Sequence, residues 1–279
     1  MALNPALRLQ VRQLREYGAT PRDCRLQLAK LRAIKQPPEI AAMQAAINVT
    51  QRSLEALVEA LPTFTYEYEV EAFITHEFRR RGSQGHAYDP IVAAGKNACT
   101  MHYIKNDAKL GKNDWLLLDV GAQVYGYAAD ITRTIPLGKI TARQQAIVDS
   151  VRRVHDAAID LLVTGTSPRE YVQKVDSLML RELKTIGLLP RKSVKQMRRY
   201  FPHAIGHGLG IDVHDSLGRF ETFKAGMVLT VEPGIYIEDE GFGVRLENDI
   251  LITKDGPRNL SAGLADILTP ANAEGAILV

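Results

Sequence analysis

The sequence predicts an α+β fold built from two similar halves, and three observations carry that expectation. A chain of 279 residues with 46% hydrophobic content can bury a sizeable core. Along it, apolar residues switch between helical spacing and the period of two that marks strands. The order of two helices followed by strands also occurs twice, the second pair of helix starts about 100 residues after the first. The helix starting near Glu39 is matched by one after Thr141, and the helix starting near Glu67 by one after Ser167. Residue identity between the halves is weak, so the repeat is one of element order.

Taken in order, Pro37–Pro38 sets a boundary near 36 between a basic segment, 1–36, and the main body, 37–279. Ile40, Met43, Ile47, Leu54, Leu57 and Leu61 recur at helical spacing and predict a helix over 39–61. A second helix over 67–81 leads into the strand-like IVAAG at 91–95, and then WLLLDVGAQV and YGYAADITRTIP predict a hairpin. Thr141 can cap a helix running to 163. Ser167-Pro168-Arg169-Glu170 reads as an N-cap, a first-position proline and a capping-box acid, and that helix should stop at Gly187. After a basic stretch come two strand patterns, MVLTVEPGIYI at 227–237 and GVRLENDILIT at 243–253.

Composition removes several function classes. No apolar run is long enough to span a bilayer, and the N-terminus lacks a signal-peptide block, so a cytoplasmic protein without membrane contact is expected. The net charge of +3 is concentrated in residues 1–35, where eight Lys and Arg face Glu16 and Asp23, and the remainder is net acidic. A nucleic-acid partner is therefore not expected. The run RKSVKQMRR at 191–199 reads as a solvated helix face. Cys24 and Cys99 form neither a disulfide framework nor a zinc pair, and two buried, inert thiols are expected.

The chemistry lies where a core should be. Asp119 directly follows Trp115-Leu116-Leu117-Leu118, and Asp130 sits on the return strand of the same hairpin. Burying an ionised carboxylate costs several kcal/mol unless a cation or donors compensate it. A hydrogen-bonded aspartate at a turn would account for either one taken alone. Glu232, however, interrupts MVLTV, and Glu247 interrupts GVRL before NDILI. In the latter segment Val244, Leu246 and Ile250 share one face, with Arg245, Glu247 and Asp249 on the other. Pairing with Arg245 could neutralise one acid, not four.

His203, His207 and His214 fall within HAIGHGLGIDVH, and His102 precedes the acidic hairpin; His76, His86 and His155 look incidental. Glycines 206, 208 and 210 let backbone approach a site closely. One histidine with four carboxylates is an oxygen-rich ligand set suited to Mn²⁺, Co²⁺, Fe²⁺ or Zn²⁺. Asp119, Asp130, His207, Glu232 and Glu247 exceed what one ion needs, whereas two bridged ions would use all five.

DVGAQVYGYAADITRT, HAIGHGLGIDVHD, GMVLTVEPGIYI and GVRLENDILIT resemble the successive signatures of the pita-bread metallopeptidases: aminopeptidase P, prolidase and methionine aminopeptidase. The resemblance spans 32–262 and implies a pita-bread fold, two pseudo-symmetric α/β halves whose antiparallel strands cradle two divalent ions, manganese foremost. It implies that Asp119 chelates one ion, Asp130 and Glu247 bridge both, and His207 with Glu232 completes the other. Glu232 would also handle the proton of the attacking water. His102, His203 and His214 match histidines that bind substrate, stabilise the tetrahedral intermediate or move protons.

LGIDVHD, EPGIYI and the Arg245-x-Glu247 pair are more similar to aminopeptidase P and prolidase than to methionine aminopeptidase. The implied substrate is a peptide with proline at its second position, cleaved by a metal-bridging hydroxide attacking the carbonyl before proline. His203, His214, Tyr236 and Arg245 would shape the proline pocket, because an imide nitrogen lacks N–H and the ring fixes the backbone. Those two relatives carry an N-terminal domain that helps build oligomers, whereas 36 residues precede the boundary here, so a homo-oligomer stays open. Prolidase or methionine aminopeptidase activity, or a non-catalytic peptide- or protein-binding module on the same fold, are the alternatives.

Overall fold

The computed structural model describes residues 5–191 and 193–266, so the last part of the expected body, 267–279, and Lys192 of the basic run lie outside the described residues. The first elements are α1 (Pro5–Glu16), α2 (Arg25–Ala33), α3 (Pro37–Ala60), α4 (Glu67–Arg80), β1 (Gly85–His86) and β2 (Ile91–Ala94). Then come β3 (Trp115–Val120), β4 (Ala122–Val124), β5 (Tyr127–Ala128), β6 (Ile131–Pro136), α5 (Ala142–Asp160), α6 (Pro168–Thr185) and α7 (Val194–Tyr200). The chain continues through β7 (Val228–Val231), β8 (Gly234–Ile237), β9 (Phe242–Arg245), β10 (Asn248–Thr253) and β11 (Gly256–Asn259).

Local chemistry accounts for the helix starts. Pro37 and Pro38 open α3, where a missing N–H costs nothing, and the Gln36 N–H donates to the Glu39 carboxylate at 2.8 Å. Thr141 caps α5, its hydroxyl accepting from the Gln144 N–H at 3.2 Å. Ser167 accepts from the Glu170 N–H at 3.2 Å, but the reciprocal arm of the expected capping box is missing. Glu170 instead pairs with Lys174, one turn along, at 2.7 Å. α6 ends just before Gly187, which takes the left-handed φ of 76° that stops helices.

Among the described residues every strand pairing is antiparallel: β2-β3-β6, β1-β4-β5, β11-β10-β7 and β8-β9. Each half has its own core. In the first, Met43, Ile47, Leu54 and Leu57 of α3 pack with Val70 and Ile74 of α4 against Leu116 and Leu118 of β3. In the second, Val151, Val175 and Met179 of α5 and α6 cover Val231, Ile235, Val244 and Ile250. The helices thus lie outside and the strands meet along the middle.

The two expected strands of the second half are each broken in two, at Glu232–Pro233 and at Leu246–Glu247. Pro233 has no N–H to give to a ladder. At both breaks the acid's own N–H leaves its ladder: Glu232 N donates to Ile205 O at 2.9 Å, and Glu247 N to Thr132 O at 3.2 Å. The breaks therefore aim carboxylates inward at the seam between the halves.

Two further expectations change. Cys24 is exposed at the start of α2, and Cys99 is half-buried at the end of a 3-10 turn over 95–99, its thiol 3.5 Å from the Phe242 carbonyl. α7 is more than a solvated face: Arg198 pairs with Asp176 and Arg199 with Asp239, each at 2.8 Å, and Met197 is buried. The end of the basic segment is also tied to the body, with Lys35 and Asp215 forming a buried ion pair at 3.2 Å and Arg32 reaching Asp215 at 2.7 Å. Among the described residues no helix is long and apolar enough to cross a membrane.

Candidate metal centre

β3 brings Asp119 opposite Thr132 of β6, and Asp130 stands just before β6. Across the seam the strand breaks supply Glu232 and Glu247, and the loop before β7 supplies His207. Asp130, His207 and Glu247 place one donor atom each within 4.8 Å of one another. His207 Nε2 lies 3.3 Å from Asp130 Oδ2 and 3.6 Å from Glu232 Oε1. Its Nδ1 donates to the Gly208 carbonyl at 3.0 Å, which leaves Nε2 as the free lone pair of the neutral ring.

Arg245 is the cation that faces these acids. Its guanidinium reaches Asp119 Oδ2 at 2.5 Å, Thr132 Oγ1 at 3.1 Å and the Tyr236 hydroxyl at 2.9 Å. Because Arg245 donates to Tyr236, the Tyr236 O–H is free to donate to His203 Nε2, 2.8 Å away. His203 Nδ1 then donates to the Ala204 carbonyl at 2.8 Å. Burial and the nearby Arg245 hold His203 neutral, its pKa driven down to about 3.

The acids show the strain of sharing one dry seam. Burial, then neighbouring Asp130 and Glu232, push Glu247 well above the usual carboxylate range. Burial lifts Glu232 to about 7 against the pull of His207 and Arg245, and lifts Asp119 against Arg245. Burial disfavours the His207 cation, yet Asp130 and Glu232 carry its pKa up to about 9. Deprotonating all four carboxylates in place would leave negative charge that one guanidinium cannot balance, and divalent cations fit that deficit and the oxygen-rich donor set.

A cavity of about 550 Å³ opens over this cluster. Asp119, Asp130, His207, Glu232, Glu247, Arg245 and the histidines 102, 203 and 214 all line it. Tyr236 does not; it is buried at 3% exposure behind His203 and Arg245. His214 packs edge-on against His207 with ring centroids 4.3 Å apart. His102 is exposed and also lines the cavity. His76, His86 and His155 are absent from the cavity wall.

Gly206 lines the cavity as expected, and the three glycines also serve packing behind it. A side chain at Gly206 would meet the Thr230 carbonyl at 2.0 Å, so the close approach is to β7. Gly208 and Gly210 likewise make room for Asp215. Asp249 also turns away from the cavity: one of its oxygens accepts the Asp130 N–H at 3.2 Å.

Two site residues escaped the sequence reading. The Tyr88 hydroxyl lies 2.6 Å from both Asp119 Oδ1 and Asp130 Oδ1, and its single proton serves one at a time. Thr132 donates to Glu247 Oε2 at 2.5 Å. The hairpin register could have flagged Thr132, since it faces Asp119 across the ladder. Tyr88 lies in a loop, and no periodicity marks it.

Residues 41–254 match the profile of metallopeptidase family M24. The chain is 36% identical over 277 residues to the Xaa-Pro aminopeptidase of Escherichia coli K12, an alignment covering 92% of this chain and 63% of that protein. Among solved structures, a putative aminopeptidase P from Bacillus anthracis superposes with a TM-score of 0.85 at 31% identity, over 95% of this chain and 64% of the other. A zinc-substituted E. coli aminopeptidase P in complex with product superposes with a TM-score of 0.80 at 33% identity, over 95% and 65%. The chain thus spans less than two thirds of each of these relatives.

Proposed function

The chain belongs to metallopeptidase family M24 and has the pita-bread fold, and from that premise we propose that it is a metal-dependent aminopeptidase releasing an N-terminal residue that precedes proline. The observation that carries the reading is the convergence of Asp119, Asp130, His207, Glu232 and Glu247 on one cavity wall, beside the Arg245–Tyr236–His203 hydrogen-bond chain. Those five side chains would hold two divalent ions, with manganese the leading choice and cobalt, zinc or iron chemically acceptable. When bound, such ions would polarise the scissile carbonyl and make water acidic enough to act near neutral pH.

The protein groups supply the rest. Glu232 Oε2, 3.6 Å from His203 Nδ1, is the carboxylate that would take and return the proton of the attacking water. Arg245 fixes Asp119 on one side and orients the Tyr236 hydroxyl on the other. His102 and His214 flank the cavity and are placed to orient the peptide. Ile91, Met101, Ile104 and Val213 give the same cavity apolar wall for a pyrrolidine ring, which offers no N–H to satisfy. A cytoplasmic setting goes with this reading, since both cysteines are free thiols.

The test is hydrolysis of Ala-Pro, Ala-Pro-Ala, Met-Ala-Ala and Ala-Ala-Ala by metal-stripped protein with Mn²⁺, Co²⁺ or Zn²⁺ restored. Metal-dependent release of Ala from Ala-Pro-Ala supports the proposal. Cleavage confined to Ala-Pro points to a dipeptidase, and Met release to a methionine aminopeptidase. Metal binding without any cleavage would leave a peptide-binding module.

A further inference from the structure

Glu67 stands at the first turn of α4 and is fully buried, yet among the described residues no Lys, Arg or His lies within ion-pair distance of it. Such a carboxylate is costly unless hydrogen bonds replace its water. All four of its bonds come from one stretch of chain. Oε1 accepts from the Ala94 N–H at 2.7 Å and the Asn97 amide at 3.0 Å. Oε2 accepts from the Tyr103 hydroxyl at 2.7 Å and the Ala108 N–H at 2.9 Å.

Those donors bracket a loop that holds no strand or α-helix between 95 and 108. His102 lies in its middle, exposed, and its ring makes no hydrogen bond among the described residues. Its neighbours do not drift, however. Met101 and Tyr103 pack on the small cluster of Ile91, Ala93, Leu117 and Tyr236, so the loop leans on the tyrosine that orients His203. One turn along α4, Glu71 accepts from Asn106, whose amide also donates to the Pro90 carbonyl and whose oxygen accepts the Val92 N–H. The first two turns of α4 therefore hold both ends and the middle of the loop.

We infer that Glu67, which does not line the cavity, is the positioning residue for His102: its one carboxylate gathers donors from both sides of that histidine and fixes the loop over the cavity. The inference rests on the reading of His102 as a group that meets the peptide. A glutamine at 67 keeps the shape but presents an NH₂ where two donors need an acceptor, so half of the anchor is lost.

The experiment uses the full chain loaded with Mn²⁺ and Ala-Pro-Ala as substrate, comparing Glu67→Gln, His102→Ala, the double variant and Tyr103→Phe. Glu67→Gln should lower kcat/KM about 10- to 100-fold through misplacement of His102, with metal content unchanged. In the His102→Ala background the same change should cost no more than about twofold, because the histidine it serves is gone. Losses that multiply, or a Glu67→Gln enzyme equal to wild type, would overturn the inference. If Glu67→Gln does not fold, Tyr103→Phe removes a single donor and should show a smaller loss that also vanishes without His102. Should wild type cleave no peptide, the proposed function fails separately. Amide exchange then decides the anchor: faster exchange over 94–108 in Glu67→Gln supports it, and unchanged protection refutes it.

Discussion

Arg245 Nη2 lies 2.5 Å from Asp119 Oδ2, and both side chains are largely withdrawn from water, at 5% and 14% exposure. This is the ion pair through which a guanidinium enters a cluster otherwise made of acids and His207. Removing one partner of a buried pair leaves the other charge uncompensated, a loss of about 3 kcal/mol. Arg245→Ala should therefore lower the unfolding free energy of metal-stripped protein by about that amount, and by less once divalent ions supply the missing charge. Denaturant titration with and without Mn²⁺ measures both values. Equal losses in the two conditions would mean that the metal ions do not supply the charge Arg245 provides, and no loss in either would mean that Arg245 acts on substrate instead of on the cluster.

Glu247 is the acid placed nearest the centre, with Asp130 and His207 within ligand reach and Thr132 donating to it. Glu247→Ala should reduce bound metal and abolish hydrolysis while leaving the far-ultraviolet circular dichroism spectrum close to wild type. Elemental analysis alongside the peptide assay is sufficient. Full turnover by a metal-loaded Ala variant would remove Glu247 from the ligand set.

The pH dependence of the stripped protein follows from the sign of three shifts. Glu232 is raised from 4.5 to about 7, so its contribution to stability is complete below 4.5 and is lost as pH rises through about 7. His207 is raised from 6.5 to about 9, so its contribution is lost between those values in the same direction. His203, lowered from 6.5 to about 3, acts in the opposite sense below 6.5, so the melting temperature without metal should fall as pH climbs from about 6.5 to about 9. Metal binding needs the deprotonated ligands, so it should release protons near pH 7 and reverse the trend. Calorimetry in buffers of different ionisation enthalpy counts those protons, and a count of zero would contradict the shifts.

Tyr88 bridges two acids with one hydroxyl, 2.6 Å from each. Tyr88→Phe keeps the ring and removes the donor that steadies Asp119 and Asp130. Metal affinity or kcat/KM should drop about 10-fold, the usual effect of losing a group that orients metal ligands. Competition with a chelator and a kinetic assay test this, and an unchanged variant would assign the hydroxyl to filling space.

Much of the architecture was legible in the chain because it is written in short-range patterns. The 3.6-residue spacing of Met43, Ile47, Leu54 and Leu57 requires a buried helix face, and all four are fully buried. Thr141 and Ser167 announce α5 and α6 because a cap needs one hydroxyl at one position. The acids of the centre could be singled out because charge inside an apolar strand is costly without compensation.

What the sequence determined by itself is therefore the order of elements, the repeat of that order, and which acids and histidines were out of place in a core. Tertiary structure decided which of them meet and what each touches. Periodicity tells which face a residue takes but not which distant segment covers it. For that reason the break at Glu247, the exposure of Cys24, the burial of Asp249 against the Asp130 backbone and the Tyr88 bridge had no local signature. Glu67 shows the limit most plainly: in the sequence it is one more acid in the first turn of a helix, where acids are common. Only the folded chain, by closing a loop over it and excluding water, turns that acid into an anchor for His102.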